Sequence, residues 1–197
     1  MAVNQMNEMI QIKNISFLGA KVTPALIGFD QSLSVVCGAS DTGKSFLVEA
    51  IDFLLGGKEL RRIPELDGYD KARISIESSE KGLWTFERSI EGGNYRIYQG
   101  NIEAATDVKE SGTIKMKHAA GREDNISGWL LGAIDLLSKY VRKNASGDCR
   151  SLSFRDIARL IIVNEQEIIR TDSPFLTGQY VPKTAEKSTL KLMLTGA

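Results

Sequence analysis

The segment Gly38–Ser45 combines two glycines, a lysine and a hydroxyl side chain at a spacing that suits phosphate binding. Its sequence, Gly-Ala-Ser-Asp-Thr-Gly-Lys-Ser, matches G-x-x-x-x-G-K-[S/T] at every specified position. Gly38 allows a sharp turn after a strand, and Gly43 has no side chain to keep an anion from the backbone. Lys44 suits the β- and γ-phosphates, and the Ser45 hydroxyl suits Mg²⁺. The pattern predicts binding of a nucleoside triphosphate, ATP with Mg²⁺.

The predicted nucleotide contacts comprise the whole loop and the first turn of the helix that follows it. Successive backbone N–H groups of such a loop, together with the helix N-terminus, form a nest for anions. Lys44 is also a predicted catalytic residue, because its charge would stabilise the transferred phosphoryl group. The predicted contact residues are Gly38, Ala39, Ser40, Asp41, Thr42, Gly43, Lys44, Ser45 and Phe46.

Elements on both sides of the loop must position it. Leu33–Cys37 is short, apolar and rich in β-branched residues, so it predicts a buried strand that leads into the loop. Ser45–Leu55 has apolar residues at helical spacing and is followed by two glycines, which predicts a helix. Met9–Phe17 alternates apolar and polar residues, the period of a half-buried strand.

Later segments predict an antiparallel meander and then a small helical region. The predicted strands are Ala72–Glu77, Leu83–Ile90 and Tyr95–Tyr98, joined by turns at 78–82 and 91–94. The predicted helices are Ile126–Tyr140 after a cap at Asn125, Ser153 to about Ile162 with Asp156 in a capping box, and Ala185–Leu194 after a cap at Thr184. Residues 101–122 predict irregular structure. The fold class is therefore α/β, with a mixed sheet around the loop helix and an antiparallel β-subdomain.

Composition limits the classes of protein that fit. The chain has 197 residues and zero formal net charge, which suits one domain and gives no global positive field for nucleic acid. Cys37 and Cys149 lack metal-ligand spacing, and Cys37 is expected to be buried. The longest apolar stretch, residues 129–137, is interrupted by a glycine and an aspartate and is too short to cross a bilayer. We therefore expect a cytoplasmic protein without a membrane segment.

The sequence around the loop resembles the N-terminal ATPase head segment of SMC, RecN and RecF-type proteins, which are ABC-type P-loop ATPases. The residues that carry the resemblance are Phe17 at the end of the first strand, Ala50, Ile51 and Gly56 along the loop helix, and Phe86-Glu87-Arg88 in the meander. The resemblance covers Met9 to about Tyr98. Asp41 departs from it, because the family usually has asparagine there, and the added negative charge near the phosphates would weaken affinity.

The resemblance implies that the chain is the N-terminal half of a head, with a nucleotide-binding core over residues 9–122 and a helical region over 123–197. In that family the Walker B strand, the signature loop and a switch histidine lie far along the chain. The implied partner is a C-terminal half-head or a homodimer partner, and heads dimerise around ATP in DNA repair, chromosome maintenance or defence. This chain alone is then expected to bind ATP without efficient hydrolysis, and direct contact with DNA stays open.

The segment Val163–Ile168 has alternative interpretations. It is similar to the family's Q-loop, V-x-Q-G-E-I, which would make Gln166 a catalytic residue and a Mg²⁺ ligand. Aligning the following Glu-Ile pair instead would put Glu165 at the glutamine position. Residues 160–165 also resemble a Walker B run in which Asn164 replaces aspartate, and a plain surface turn is a further alternative.

Two other classes of protein compete with the half-head. A transporter-type ABC subunit would carry its signature and Walker B motifs in the same chain. A small nucleotide or metabolite kinase suits the length, but such kinases usually begin with the P-loop strand and continue with parallel β-α units. A P-loop that acts only as a regulatory switch is also compatible with the sequence. Outside the loop, Glu49 and Asp52 are expected to face solvent, and the single histidine, His118, is expected to be solvated or locally bonded.

Overall fold

The structure is a computed structural model that describes residues 9–29, 33–40, 42–169, 171, 173, 176 and 183–196. It confirms the α/β class. The strands are β1 (Ile10–Leu18), β2 (Ala25–Gly28), β3 (Lys71–Ser78), β4 (Gly82–Ser89), β5 (Gly92–Gln99), β6 (Gly112–Ile114), β7 (Tyr140–Arg142) and β8 (Cys149–Ser151). The helices are α1 (Lys44–Leu54), α2 (Ile126–Gly132), α3 (Phe154–Ile161), α4 (Glu165–Ile168) and α5 (Lys183–Thr195), with a 3₁₀ turn at Pro64–Leu66.

Six strands form one antiparallel sheet in the order β2-β1-β3-β4-β5-β6. The alternation seen in the sequence sets its register. Ile74 on β3 lies between Ile15 on β1 and Phe86 on β4, so the apolar side chains share one face. The predicted strands at Met9–Phe17 and in the meander are confirmed, and β6 adds a short edge strand inside the segment predicted to be irregular.

The apolar face of the sheet packs against α1 and α2. Phe53 and Leu54 of α1 are buried, as is Trp129 of α2. The Trp129 ring meets Phe86 edge to face at a centroid distance of 4.7 Å. Side chains of this size stabilise the fold by about 1.5–3 kcal/mol each when fully buried, so this layer holds the loop helix to the sheet.

The other face of the central strands is polar and is covered by the chain at residues 100–105. Arg73 and Glu87 form a buried ion pair there, with the Arg73 Nη2 atom 2.7 Å from the Glu87 Oε2 atom and exposed fractions of 6% and 4%. Arg73 also donates to the carbonyl oxygens of Glu103 and Ala105, at 3.0 and 2.7 Å. Ser16 donates to the Glu103 carbonyl as well, at 3.0 Å. The buried charges are therefore satisfied, and the covering chain is tied to the sheet.

The C-terminal end of α1 is held by a buried arginine from β4. Arg88 donates to the Phe53 carbonyl at 2.9 Å and to the Gly57 carbonyl at 2.8 Å, and its guanidinium lies 4.0 Å from the centre of the Phe53 ring. Arg88 adds to the cap of the helix end, where the Phe53 carbonyl also accepts from the Gly56 N–H at 3.2 Å. Burial lowers the pKa of Arg88, although a cation at this end of a helix is favoured by the helix dipole. Arg88 therefore ties the loop helix to the meander.

The predicted buried strand at Leu33–Cys37 is wrong. The segment has no regular structure, and Leu33 and Val35 are 78% and 75% exposed. Cys37 is exposed rather than buried. The apolar, β-branched pattern favours a strand, but within the described residues no neighbouring strand pairs with the segment.

The region after the meander also differs from prediction. The helix after Asn125 ends at Gly132 instead of Tyr140, and the Asn125 side chain caps it by accepting from the Gly128 N–H at 2.8 Å. Asp135 then adopts a positive φ of 52°, which no helix continues through. The chain forms a two-stranded hairpin from β7 and β8.

The two later predicted helices are confirmed as α3 and α5. The capping box of α3 forms. The Ser153 hydroxyl accepts from the Arg155 N–H at 3.3 Å, and the Asp156 carboxylate accepts from the Ser153 N–H at 2.9 Å. Thr184 lies inside α5 instead of capping it. Within the described residues, no helix is long and apolar enough to cross a membrane.

Candidate functional site

The glycine-rich loop between the exposed segment and α1 is closed on its own lysine. The Lys44 ammonium donates to the carbonyl oxygens of Gly38, at 2.9 Å, and Ala39, and it lies 3.2 Å from the Thr42 hydroxyl. Thr42 donates in turn to the Ala39 carbonyl at 2.9 Å. The two ends of the loop are thereby fixed, with a positive charge at its centre.

The two glycines of the motif are required for different reasons. A Cβ at Gly38 would lie 2.6 Å from the Thr42 hydroxyl oxygen, so a side chain there would displace the Thr42 hydroxyl from its bond to Ala39. Gly43 has a φ of 82°, a left-handed conformation that glycine adopts without steric cost, and it begins the helix. Asp41 lies outside the described residues.

The start of α1 presents backbone donors. Its first backbone bond runs from the Leu47 N–H to the Gly43 carbonyl at 2.9 Å, so the N–H groups of Lys44, Ser45 and Phe46 precede the intrahelical ladder. The helix is 11 residues long and has a positive dipole end at this point. Together with the Lys44 charge, these groups are donors of the kind that bind an anion with several oxygens.

A cavity of about 1000 Å³ adjoins these donors. It is lined by Thr42, Gly43, Lys44, Ser45 and Phe46 of the loop and first helical turn, with Val36 and Ser40 ahead of them. Gly38 and Ala39 hold the loop closed, because their carbonyl oxygens accept from the Lys44 ammonium. The structure therefore brings the predicted loop residues that it describes together around one anion site beside one cavity.

An apolar wall extends the cavity away from the loop. The Phe17 ring packs against Phe46 and Tyr69 at centroid distances of 5.7 and 6.3 Å. The Tyr69 hydroxyl donates to the Thr23 carbonyl at 2.9 Å, which fixes the ring. Ile63 continues the wall. Sequence reasoning missed Tyr69 and Ile63, because they lie in the irregular segment between α1 and β3 and only the fold carries them to the loop.

The segment predicted to be a Q-loop forms the turn into α4. Asn164 accepts from the Glu167 N–H at 3.0 Å, and Glu167 accepts from the Asn164 N–H at 2.9 Å, a reciprocal cap. Glu165 lines the cavity beside the loop. The side chain of Gln166, the predicted catalytic and metal-binding residue, lies outside the described part of the chain.

The Walker B alternative for residues 160–165 is contradicted. Leu160 and Ile161 belong to helix α3, and Ile161 and Val163 are 57% and 46% exposed. A Walker B run needs a buried strand, whereas here the helix that starts at the Ser153 capping box includes Leu160 and Ile161.

Two acidic residues on α1 contact arginines rather than facing solvent alone. Asp52 accepts from both terminal nitrogens of Arg155 at 2.7 and 3.1 Å, and this forked pair joins α1 to α3. Glu49 lies 2.9 Å from Arg61. Both side chains remain 36% exposed, so they face solvent in part while pairing with arginines, and the Asp52–Arg155 pair links α1 to α3.

The residues beside the loop fit Mg²⁺ brought by a nucleotide better than a metal held by protein alone. Among the described residues, no group of three or more His, Cys, Asp or Glu side chains could hold a metal ion. Mg²⁺ is commonly bound through one or two carboxylates together with substrate phosphates. Ser45 and the cavity-lining Glu165 provide oxygen donors of this kind.

Comparison with known proteins gives one family. A search of curated proteins returned no match for this sequence. Residues 9–189 match the AAA domain family, a class of P-loop ATPase domain, and this range includes the loop, the sheet, α1 and about half of α5. AAA-type P-loop ATPases bind nucleotides, and the loop geometry described above is of that kind. Because the match spans most of its length, the chain belongs to the AAA domain family.

Proposed function

We propose that this chain binds ATP with Mg²⁺ in the cavity beside α1. One observation carries the proposal: the loop is closed on Lys44 and presents the free N–H groups of α1 to a cavity of about 1000 Å³. Ligand cavities usually measure about 300–1000 Å³, so a nucleotide fits. The triphosphate would lie on the loop, and the apolar wall at Phe17 and Tyr69 would receive the base.

Each residue of the loop then has a role. Lys44 holds charge at the β- and γ-phosphates and stabilises it during transfer, which makes it the catalytic residue of the loop. Gly38 and Gly43 keep the backbone close to the phosphates, and the Ser45 hydroxyl holds Mg²⁺. Bound Mg²⁺ supplies charge neutralisation on the phosphate oxygens.

The chain would further be the N-terminal half of an SMC- or RecN-like ATPase head, with a core over residues 9–122 and a helical region over 123–197. The exposed segment Leu33–Cys37 supports this. It is apolar and strand-like, it leads directly into the loop, and within the described residues no strand pairs with it. A C-terminal half-head, or a homodimer partner, would cover it and complete the catalytic site.

By this proposal ATP drives heads to dimerise in cytoplasmic DNA repair, chromosome maintenance or defence, and the chain alone hydrolyses ATP poorly. The basic residues after α1 do not add support for direct DNA binding. Arg61 pairs with Glu49, and Arg62 pairs with Glu91. The antiparallel sheet beside α1 favours the head over a small kinase, which would continue in parallel β-α units.

The test is equilibrium binding of a fluorescent ATP analogue with Mg²⁺ to the wild type, Lys44→Ala and Lys58→Ala. We expect Lys44→Ala to weaken binding at least tenfold, or about 1.4 kcal/mol. Lys58→Ala is the matched control, because Lys58 is exposed and lies outside the cavity. At one hundred times the dissociation constant, ATP should also stabilise the wild type by about 2.7 kcal/mol.

Equal binding by the wild type and Lys44→Ala would contradict the assignment of the loop. Turnover at the rate of a complete ATPase by this chain alone would contradict the half-head. Adding a C-terminal half-head should raise turnover in the wild type and leave it low in Lys44→Ala.

A further inference from the structure

The chain that follows α3 brings one carboxylate to the cavity that Ser45 and Lys44 line. Arg155 at the start of α3 pairs with Asp52, in the second half of α1. Ten residues later, Glu165 lines the same cavity as Ser45, near the start of α1. Ser45, Val48 and Asp52 lie three and four residues apart and therefore share one helix face. The chain thus runs back along that face, from the end of α1 towards the loop.

Residues between these two points of α1 support this direction of the chain. A groove beside the cavity is lined by Val48 and Glu49 of α1 and by Ile162 and Asn164 of the returning chain. The reciprocal cap between Asn164 and Glu167 then fixes the point at which α4 begins. Glu165 is the first residue of that helix, so its position beside the loop is set by the cap and by the Arg155–Asp52 pair.

The side chains of this turn differ in the contacts that they already make. The Glu167 carboxylate accepts from the Asn164 N–H and belongs to the cap. Ile168 is 71% exposed and carries no donor. Among the described residues, Glu165 forms no ion pair, is exposed and lines the cavity. It is the acidic group of the turn that remains available to a ligand.

We propose that Glu165 supplies the protein carboxylate that binds the Mg²⁺ of bound ATP. The proposal rests on the ATP binding proposed above and deepens it by naming a ligand on this chain. A carboxylate and the Ser45 hydroxyl, together with phosphate oxygens and water, form the hard oxygen donor set that Mg²⁺ requires. A negative charge at this point also offsets the cation where a neutral amide would not.

A second carboxylate lines the cavity and provides a stringent control. Glu65 belongs to the 3₁₀ turn at Pro64–Leu66, beside the apolar wall of Ile63 and Tyr69. This apolar wall is the part of the cavity that the proposed function assigns to the base. Glu65 is therefore not part of the turn that contains Glu165. Replacing it tests whether any loss of the metal effect arises from removing negative charge anywhere in the cavity.

The experiment measures the affinity of a fluorescent ATP analogue in excess EDTA and in Mg²⁺ for the wild type, Glu165→Gln, Glu65→Gln and Gln166→Ala. The gain in affinity caused by Mg²⁺ should fall at least about tenfold in Glu165→Gln, the scale for lost metal-site partners. Affinity in EDTA should stay equal or rise. Glu65→Gln is the control and should keep the full Mg²⁺ gain, whereas Gln166→Ala tests the ligand that the Q-loop resemblance implies. Electron paramagnetic resonance of Mn²⁺ in the ATP complex gives a second readout, and Glu165→Gln should weaken Mn²⁺ binding in that complex.

The outcomes separate the two proposals. A full Mg²⁺ gain in Glu165→Gln overturns the role of Glu165, and a loss confined to Gln166→Ala assigns the ligand to Gln166 instead. Absence of ATP binding by the wild type in both conditions overturns the proposed function itself. Thermal melting without nucleotide verifies folding, and because Glu165 is exposed, its amide variant should melt with the wild type.

Discussion

The sheet with its helix α1 and an exposed rim (Leu33 and Val35 before the loop, Ile169 after α4) use apolar residues in opposite ways. In the sheet, Ile74 and Phe86 are fully buried, and even the charged pair Arg73–Glu87 is removed from water. At the rim, Leu33 is 78% exposed and Ile169 is 76% exposed. Both regions are rich in apolar side chains, but only the first has partners for them within the described chain.

The difference shows where the chain is sufficient by itself. The sheet and α1 bury their large side chains against each other, so they position the loop without help. The rim residues increase the apolar surface in contact with water, which costs free energy in proportion to area. A partner surface that covers the rim would remove this cost, as expected for a half-head but not for a complete enzyme.

The largest expected effect is a loss of stability in the sheet. Arg73→Met should reduce the free energy of unfolding by about 3–5 kcal/mol, because it leaves the Glu87 carboxylate buried without its closest cation. The change also removes the bonds from Arg73 to the chain at Glu103 and Ala105. Urea unfolding followed by fluorescence measures it.

A matched control uses the second arginine near the same carboxylate. Arg96 is 57% exposed and approaches Glu87 at 3.8 Å, so Arg96→Met should cost less than about 1 kcal/mol. The double variant Arg73→Met with Glu87→Leu should recover part of the loss, since no buried charge remains unpaired. Equal losses in the two single variants would show that burial of the pair does not govern stability here.

A smaller effect depends on pH and concerns His118, which links the chain after β6 to the β7–β8 hairpin. Its Nε2 atom lies 3.1 Å from the Ser151 hydroxyl. Burial lowers the pKa of His118, and Arg150 adds to the lowering while Asp156 opposes it. In the unfolded chain the pKa of His118 returns to about 6.5. Near and below that pH, the unfolded chain therefore binds more protons than the folded protein does. The free energy of unfolding should decrease as pH falls through that value.

His118 is the single histidine of the chain, so its contribution can be isolated. Urea unfolding of the wild type and His118→Asn at about pH 7.5 and about pH 5.5 spans its titration. The wild type should lose more stability between the two pH values than the variant. The same pH dependence in both proteins would assign the change to carboxylates instead.

The sequence predicts local structure well where the pattern and the tertiary partners agree. The strand β1, the helix α1 and the capping box at Ser153 follow from alternation, helical spacing and cap chemistry. The segment Leu33–Cys37 fails because strand formation needs a pairing neighbour, which a local pattern does not show. The helix after Asn125 is shorter than its apolar run because Gly132 and Asp135 end it.

The candidate site shows the same division. The loop residues from Gly38 to Ser45 could be predicted, because their chemistry and spacing are contiguous in sequence. Tyr69 could not, because the fold alone brings it to Phe17. In the sequence, Glu165 is only an alternative to Gln166 at the glutamine position, and the fold places it in the lining of the cavity.

The smallest expected effect tests the rim. Leu33→Ser with Val35→Ser should change the free energy of unfolding of this chain by no more than about 0.5 kcal/mol, because both side chains are already in water. The matched core change, Ile74→Ser, removes a fully buried side chain and should cost several times more. If the rim is an unfilled interface, the double variant should instead lose the rise in ATP turnover that a C-terminal half-head produces. A loss of stability comparable to that of Ile74→Ser would mean that the segment packs within this chain, and the contrast between the two regions would then disappear.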